Sequence, residues 1–186
     1  MIISLSFLLL SLAQASEPPE CKAVTAFITD LLDTTDRITG VVVNPREREW
    51  SSRRGADPAV WRAYSWDAEG ELPNLALATR ILADEPRNAV GACPSLRAAL
   101  SFRDVEYTQE AVEAVIPQDP VVYAATREFT AEVITLSLPV LAADGMTAYI
   151  DTSMISGPRI GFERSFLLEK AGDFWRIVGV RFGSVH

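Results

Sequence analysis

The chain offers few of the side chains that enzymes use for acid–base or nucleophilic chemistry. Its only histidine is His186, the last residue, and terminal residues are usually solvated and poorly ordered. A serine or cysteine nucleophile with an imidazole base therefore cannot be assembled in the ordinary way. One histidine and two cysteines are also too few for a structural zinc site of four such ligands. We expect no catalytic residue, no metal site and no cofactor.

Two carboxylates, Asp151 and Glu163, lie on neighbouring strand-like segments in the last third of the chain. Pairs of acids carry out glycoside hydrolysis and isomerisation in other proteins. However, acids on the solvent-facing side of an antiparallel sheet look the same in a sequence, and arginines often pair with them across strands. We therefore predict that both carboxylates face solvent, near Arg159, Arg164 and Arg176.

A basic cluster follows the first strand-like segment and consists of Arg46, Arg48, Arg53 and Arg54, with Trp50 between them. Guanidinium groups bind phosphate, sulfate or carboxylate through paired hydrogen bonds, so this loop is a candidate anion-binding site. The alternative is an exposed loop whose charges are partly cancelled by its two glutamates. The mixed charge favours this alternative.

The first fifteen residues are typical of a secretory signal peptide. An apolar run from Ile2 to Leu12 is followed by Ala-Gln-Ala, which matches the small-residue cleavage pattern. The run is shorter than the roughly 20 residues of a membrane-spanning helix. No lysine or arginine precedes it, so a buried N-terminal element is the alternative. We predict a signal peptide at 1–15, a single α+β domain at 16–186, no membrane span in the mature form, and a periplasmic or secreted location.

The two cysteines, Cys21 and Cys93, both follow the predicted signal peptide. In an oxidising compartment an even number of cysteines suggests a disulfide, whereas free thiols are expected in the cytosol. Because we predict export, we predict a disulfide, and two buried thiols are the alternative. The bridge would close a loop of about 72 residues and stabilise the fold by on the order of 4 kcal/mol.

The composition limits the possible partners. Apolar residues make up 48% of the chain and charged residues 23%, which is ordinary for a globular protein. The formal net charge is −8, and a net-acidic surface disfavours binding to a phosphate backbone. We therefore exclude nucleic acid and expect an unknown protein or small-molecule ligand as partner.

Helical patterns come first along the chain and strand patterns come last. Apolar spacing predicts helices over 21–35, 73–83 and 108–115, with shorter helical segments at 59–64 and 94–100. A short strand is predicted at 38–43, and four more at 133–138, 147–155, 162–169 and 174–182. The last four are joined by short turns and must be antiparallel. The predicted fold is α+β, with N-terminal helices packed on a C-terminal four-stranded antiparallel meander, and with Phe174 and Trp175 as core anchors.

A resemblance rests on the segments Ser137-Leu-Pro139, Asp144-Gly145, Leu168-Leu-Glu-Lys170 and Trp175-Arg-Ile177. They resemble the C-terminal meander of uncharacterised secreted bacterial proteins and are similar to the end of NTF2-like (SnoaL-like) domains. That resemblance implies a curved sheet and helices around a pocket, in which catalytic members place a carboxylate or a tyrosine. No position here matches those residues one by one, so no catalytic role is carried over.

Two functions follow from these observations. The first is an exported, non-enzymatic protein of the bacterial envelope that acts through protein or small-ligand contacts. The alternative is an NTF2-like pocket protein that binds or acts on a small apolar ligand through carboxylate or tyrosine side chains. A pocket with an ionisable side chain inside it would favour the second function.

Overall fold

The computed structural model of the chain describes residues 17–34, 40–50, 53, 57–64, 68–117, 119–126, 129–158 and 160–185. The predicted signal peptide and His186 lie outside these residues. The described chain forms one mixed β-sheet with helices packed on both of its faces.

The sheet contains seven strands: β1 (Gly40–Asn44), β2 (Ala68–Gly70), β3 (Ala131–Leu136), β4 (Val140–Leu141), β5 (Thr147–Gly157), β6 (Ile160–Ala171) and β7 (Phe174–Val185). Its order is β1-β3-β5-β6-β7-β2, and the short β4 pairs with β5. The four predicted strands are present as β3, β5, β6 and β7, and the α+β class is confirmed.

The prediction of a four-stranded, wholly antiparallel sheet is wrong. Strand β1 adds a parallel edge against β3, and β2 adds an antiparallel edge against β7. No strand is predicted at the residues of β2, because three residues are too few to show a strand period. The residues of β1 were predicted to be a strand, but their partner lies 91 residues further along, so no local turn signal indicates the pairing.

Seven helices accompany the sheet: α1 (Pro19–Thr34), α2 (Pro58–Tyr64), α3 (Leu75–Ala83), α4 (Ala89–Ala92), α5 (Pro94–Phe102), α6 (Gln109–Val115) and α7 (Pro120–Ala125). Short polar side chains start several of them. Asn74, Asn88, Thr108 and Asp119 each accept a hydrogen bond from a backbone N–H of the following first turn. Across the described chain, no helix combines the length and apolar character needed to cross a bilayer.

Alternation along β5 separates two cores. Ala148 and Ile150 point to the face that carries α1 and α5, where the largest apolar cluster lies. Tyr149 points to the other face and packs with Trp61 of α2 and the buried side of α3. A third cluster lies further along that second face, under α6, around Val133 of β3. The second face is therefore apolar at both ends.

Phe174 is not the core anchor that the sequence predicts. It begins β7 directly after the two-residue turn that follows β6, and 78% of its surface is exposed. Its neighbour Trp175 points to the opposite face and packs against the main core, where it is partly buried. The Phe174 ring therefore points away from the main core and stays exposed.

The Cys21–Cys93 pair joins α1 to the segment that starts α5. The two Sγ atoms lie at bonding distance, 2.13 Å, which confirms the predicted disulfide. Both residues are completely buried. At the other end of α1, Arg103 donates hydrogen bonds to Asp33, and these bonds, helped by the positive charge, lower the pKa of the Asp33 carboxyl below its ordinary value.

Removing this disulfide should destabilise the protein. The bridge spans 72 residues and restricts the unfolded chain, so the Cys21→Ala/Cys93→Ala variant should lose about 4 kcal/mol of unfolding free energy. Urea denaturation followed by circular dichroism measures this change. A reductant should destabilise the wild type and leave the variant unchanged. Equal urea midpoints for oxidised wild type and variant would contradict the prediction.

Candidate functional site

Between the two apolar ends of the second sheet face lies a band of buried polar side chains, which we call the polar band: Thr135, Asp151, Ser153, Glu163 and Ser165. Asp151 is fully buried and Glu163 is 4% exposed, so the prediction that they face solvent is wrong. The loop after β1 covers this face, and its arginines supply the counter-charges.

Arg53 neutralises Asp151. Its Nε–H donates to Asp151 Oδ2 over 2.6 Å, and the other guanidinium nitrogens reach Asp84 Oδ2 at 3.1 Å and Ser137 Oγ at 3.3 Å. The Arg53 side chain is only 5% exposed. Burial disfavours its charged form, but the Asp151 carboxylate outweighs burial and raises the pKa of Arg53 above its ordinary value.

The second oxygen of Asp151 is also fully used. Oδ1 accepts hydrogen bonds from Tyr149 Oη at 2.6 Å and from Ser165 Oγ at 2.7 Å. The Arg53 guanidinium lies 5.6 Å from the centre of the Tyr149 ring, and Trp61 meets that ring edge-on. Tyr149 and Asp151 have no exposed surface, so this network holds the loop on the sheet and is closed to a ligand.

Arg48 makes the equivalent contact at the next strand. Its Nη2 donates to Glu163 Oε1 over 2.8 Å, and its guanidinium lies 5.7 Å from the Trp50 ring centre. Gly183 of β7 allows the close approach here, because a Cβ at that position would lie 3.0 Å from both the Cβ and the carbonyl oxygen of Glu163. The Nε–H of Arg48 is buried and has no acceptor among the residues that the structure describes.

The structure places the four arginines of the predicted anion site as follows. Arg48 and Arg53 pair with buried carboxylates, and Arg46 pairs with Glu113 at the surface. Arg54 lies outside the described residues. Since each described guanidinium already has an acidic partner, this loop carries little net positive charge, and anion binding stays a prediction.

The exposed-loop alternative for this segment is correct for Arg46, Glu47 and Glu49, which are exposed, and wrong for Trp50 and Arg53. Trp50 is 4% exposed, and Arg53 is buried as described above. The other described arginines that we expected near Asp151 and Glu163 have different partners. Arg176 pairs with Glu169, and Arg164 lies over the rings of Phe162 and Phe182. Arg159 is outside the described residues.

Asn88 holds the start of the loop through hydrogen bonds, and the sequence analysis does not identify this role. Its Nδ2 donates to the backbone carbonyls of Asn44 and Arg46, and its own N–H donates to Glu47 Oε2. Its Oδ1 meanwhile accepts from the N–H of Val90 and caps α4. An asparagine before an apolar segment is a recognisable helix cap, but its contacts to residues more than 40 positions away have no local signal.

A cavity of about 340 Å³ opens beside the polar band, and Arg48, Ser153, Ile155, Gly161 and Phe162 line it. Ile155 gives it apolar surface, whereas Arg48 and the Ser153 hydroxyl offer hydrogen-bond donors. Arg48 also borders a separate groove of about 390 Å³ on the far side of the loop, among charged residues of 47–49 and 85–87. Arg48 thus stands between two cavities.

Comparison of this chain with protein-family models, with curated proteins and with solved structures finds no match. The described residues contain no cluster of three or more His, Cys, Asp or Glu side chains arranged to hold a metal ion. The function must therefore be argued from the geometry of this chain.

Replacing the Asp151 carboxylate with an uncharged group should lower the free energy of unfolding. Asp151→Asn leaves the buried Arg53 charge with only the partly exposed Asp84, and the expected loss of unfolding free energy is about 3 kcal/mol. Urea denaturation gives the value. The matched control is Glu169→Gln, which removes a carboxylate from an exposed arginine pair on the same sheet and should cost less than about 1 kcal/mol. Similar small losses in both variants would contradict the role assigned to Arg53 and Asp151.

Proposed function

We propose that this protein is an exported, non-enzymatic binding protein, and that it takes a small, uncharged, apolar molecule with one hydrogen-bond acceptor into the cavity beside Arg48. The observation that supports the proposal most is the buried Nε–H of Arg48, which has no acceptor among the described residues and belongs to a side chain that lines the cavity.

The hydrogen-bonding state of Arg48 favours an acceptor on the ligand. A buried donor without a partner costs about 1–3 kcal/mol, and a carbonyl or ether oxygen that reaches Nε after a shift of the Arg48 side chain would recover that free energy. The Ser153 hydroxyl, also on the cavity wall, is a second donor in reach of the same region. These donors, together with the apolar side chain of Ile155 on the same face, match a ligand with a polar end and an apolar body.

The charge balance favours an uncharged ligand. Glu163 is 4% exposed and already pairs with Arg48, so the two side chains together carry no net charge. A carboxylate in the cavity would sit near the buried Glu163 carboxylate and meet its repulsion. The volume of about 340 Å³ lies at the lower end of the range of small-ligand pockets, about 300–1,000 Å³.

The disulfide supports export. Structural disulfides persist in the periplasm and outside the cell and are rare in the cytosol, and the bridged cysteines here are completely buried. Together with the apolar leader at 1–15, this bridge supports a periplasmic or secreted location.

The full chain, expressed in a bacterium with a general secretion system, should lose its leader. We expect a periplasmic product that starts near Ser16 and has no reactive thiol, as measured by intact-mass spectrometry with and without a thiol-alkylating reagent. A version that begins at Ser16 without the leader should remain in the cytoplasm as the control. A product that keeps Met1 and two reactive thiols would refute the proposed export.

Three probes of similar shape test the ligand class: acetophenone, ethylbenzene and benzoate. Acetophenone should bind most tightly, because it alone combines an acceptor with no charge, and chemical-shift changes at Ile155 and Gly161 in protein NMR spectra would report it. Arg48→Met should weaken acetophenone binding by about tenfold, toward that of ethylbenzene, since one hydrogen bond to a charged donor is lost.

Two further variants keep this test clear. Arg48→Met with Glu163→Gln avoids leaving a buried carboxylate without its Arg48 partner and should show the same loss of affinity. Arg46→Met removes an exposed arginine of the same loop and should bind acetophenone like the wild type. Tightest binding by benzoate would replace this proposal with the anion site, and equal binding of acetophenone and ethylbenzene would remove the role of Arg48.

A further inference from the structure

A cavity of about 430 Å³ lies away from Arg48, on the sheet face that carries α1. Lys22 from α1 lines one side, Lys170 and Trp175 from the β6–β7 hairpin line another, and Leu141 of β4 contributes apolar surface. Lys22 and Lys170 are the only two lysines in the sequence, and they come together here from positions 148 apart.

A strand register, a turn conformation and a hydrogen bond fix the geometry of the β6–β7 hairpin at this cavity. Lys170 and Trp175 are directly opposite each other in the β6–β7 register, so their side chains lie on the same face. The turn between the strands has Gly172 at its first central position with a φ of +65°, a conformation that suits glycine in tight hairpins. The Lys170 N–H donates to the Met146 carbonyl at 2.8 Å and ties the hairpin to the turn before β5.

The two ammonium groups are available to a ligand. Neither Lys22 nor Lys170 forms an ion pair or side-chain hydrogen bond with another described residue. Among the described residues, Asp173 is the one carboxylate that lines this cavity, so its lining carries a net positive charge. The first turn of α1, which also borders the cavity, adds the positive end of the helix macrodipole, although the carboxylate of Glu20 in the same turn partly offsets it.

This local positive charge differs from the rest of the protein. The formal net charge of the chain is −8, and Arg48 and Arg53, which contact the polar band, are balanced by its carboxylates. Lysine ammonium groups act as flexible point charges, so they hold a single anionic group without demanding the planar fork that arginine matches. An indole wall beside them favours a ring over an open chain, because aromatic pairs add attraction beyond their buried area.

We infer that this cavity binds a small aromatic carboxylate, with the carboxylate between Lys22 and Lys170 and the ring against Trp175 and Leu141. The site does not depend on the Arg48 cavity. It lies on the other face of the sheet, favours an anionic ligand where the Arg48 cavity favours an uncharged one, and shares no lining residue with that cavity.

The scarcity of lysine allows a direct test. Reductive methylation with ¹³C-formaldehyde keeps the lysine charge and should give two side-chain dimethylamine resonances besides that of the N-terminus. Titration with 1-naphthoate should shift both side-chain resonances in a saturable way. Its uncharged analogue 1-naphthalenemethanol and inorganic phosphate should each bind at least tenfold more weakly, since one lacks the charge and the other lacks the ring.

Variants distinguish the site from general attraction to a cation. Lys22→Gln or Lys170→Gln should weaken 1-naphthoate binding at least tenfold. Arg80→Gln removes an equal charge from the exposed side of α3 and should bind like the wild type. Absence of a saturable shift, equal binding of phosphate and naphthoate, or an equal loss in the Arg80 variant would each overturn the assignment. None of these outcomes bears on the acetophenone test at Arg48.

Discussion

The carboxylate of Asp151 lies in the middle of the central strand β5 and has no surface in contact with solvent. A charge in that position requires an opposite charge at hydrogen-bonding distance. Arg53 supplies it from a loop 98 residues away in sequence, and this pairing presses the loop onto the second face of the sheet. Once the loop is there, Trp50 is buried and Arg48 reaches Glu163. Such a pair adds little net stability compared with an apolar core. Separating its two charges is costly, however, because each would be left buried without a counter-charge, and this cost fixes the position of the loop.

The features that the sequence predicts correctly are those with local causes. The apolar spacing that predicts α1 and α6 depends only on neighbouring residues, and both helices are present. The four long strands follow from alternation and from the turns between them. The disulfide is the exception, because its two cysteines lie 72 residues apart. The even number of cysteines and the leader predict it, and the structure brings both cysteines within bonding distance.

The candidate site could not be predicted from the sequence, because it depends on contacts between distant segments. Alternation along β5 shows that Tyr149 and Asp151 share a face, but it does not say whether that face is covered. Whether it is covered depends on where the loop after β1 folds, and the mixed charge of that loop suggests solvent. Only the pairing of Arg53 with Asp151 and of Arg48 with Glu163, together with the contacts of Asn88, reverses that expectation. Burial of a charged residue is a property of the pair and not of either sequence segment.

The parallel pairing of β1 with β3 has a consequence for the order of folding. Residues 40–44 cannot find their partners until residues 131–135 have been synthesised, and contacts of such wide separation slow the folding of a chain. The loop that carries Arg48 and Arg53 follows β1 directly, so it too waits for the later strands. A nascent chain with this topology cannot complete its sheet before β3 has been synthesised.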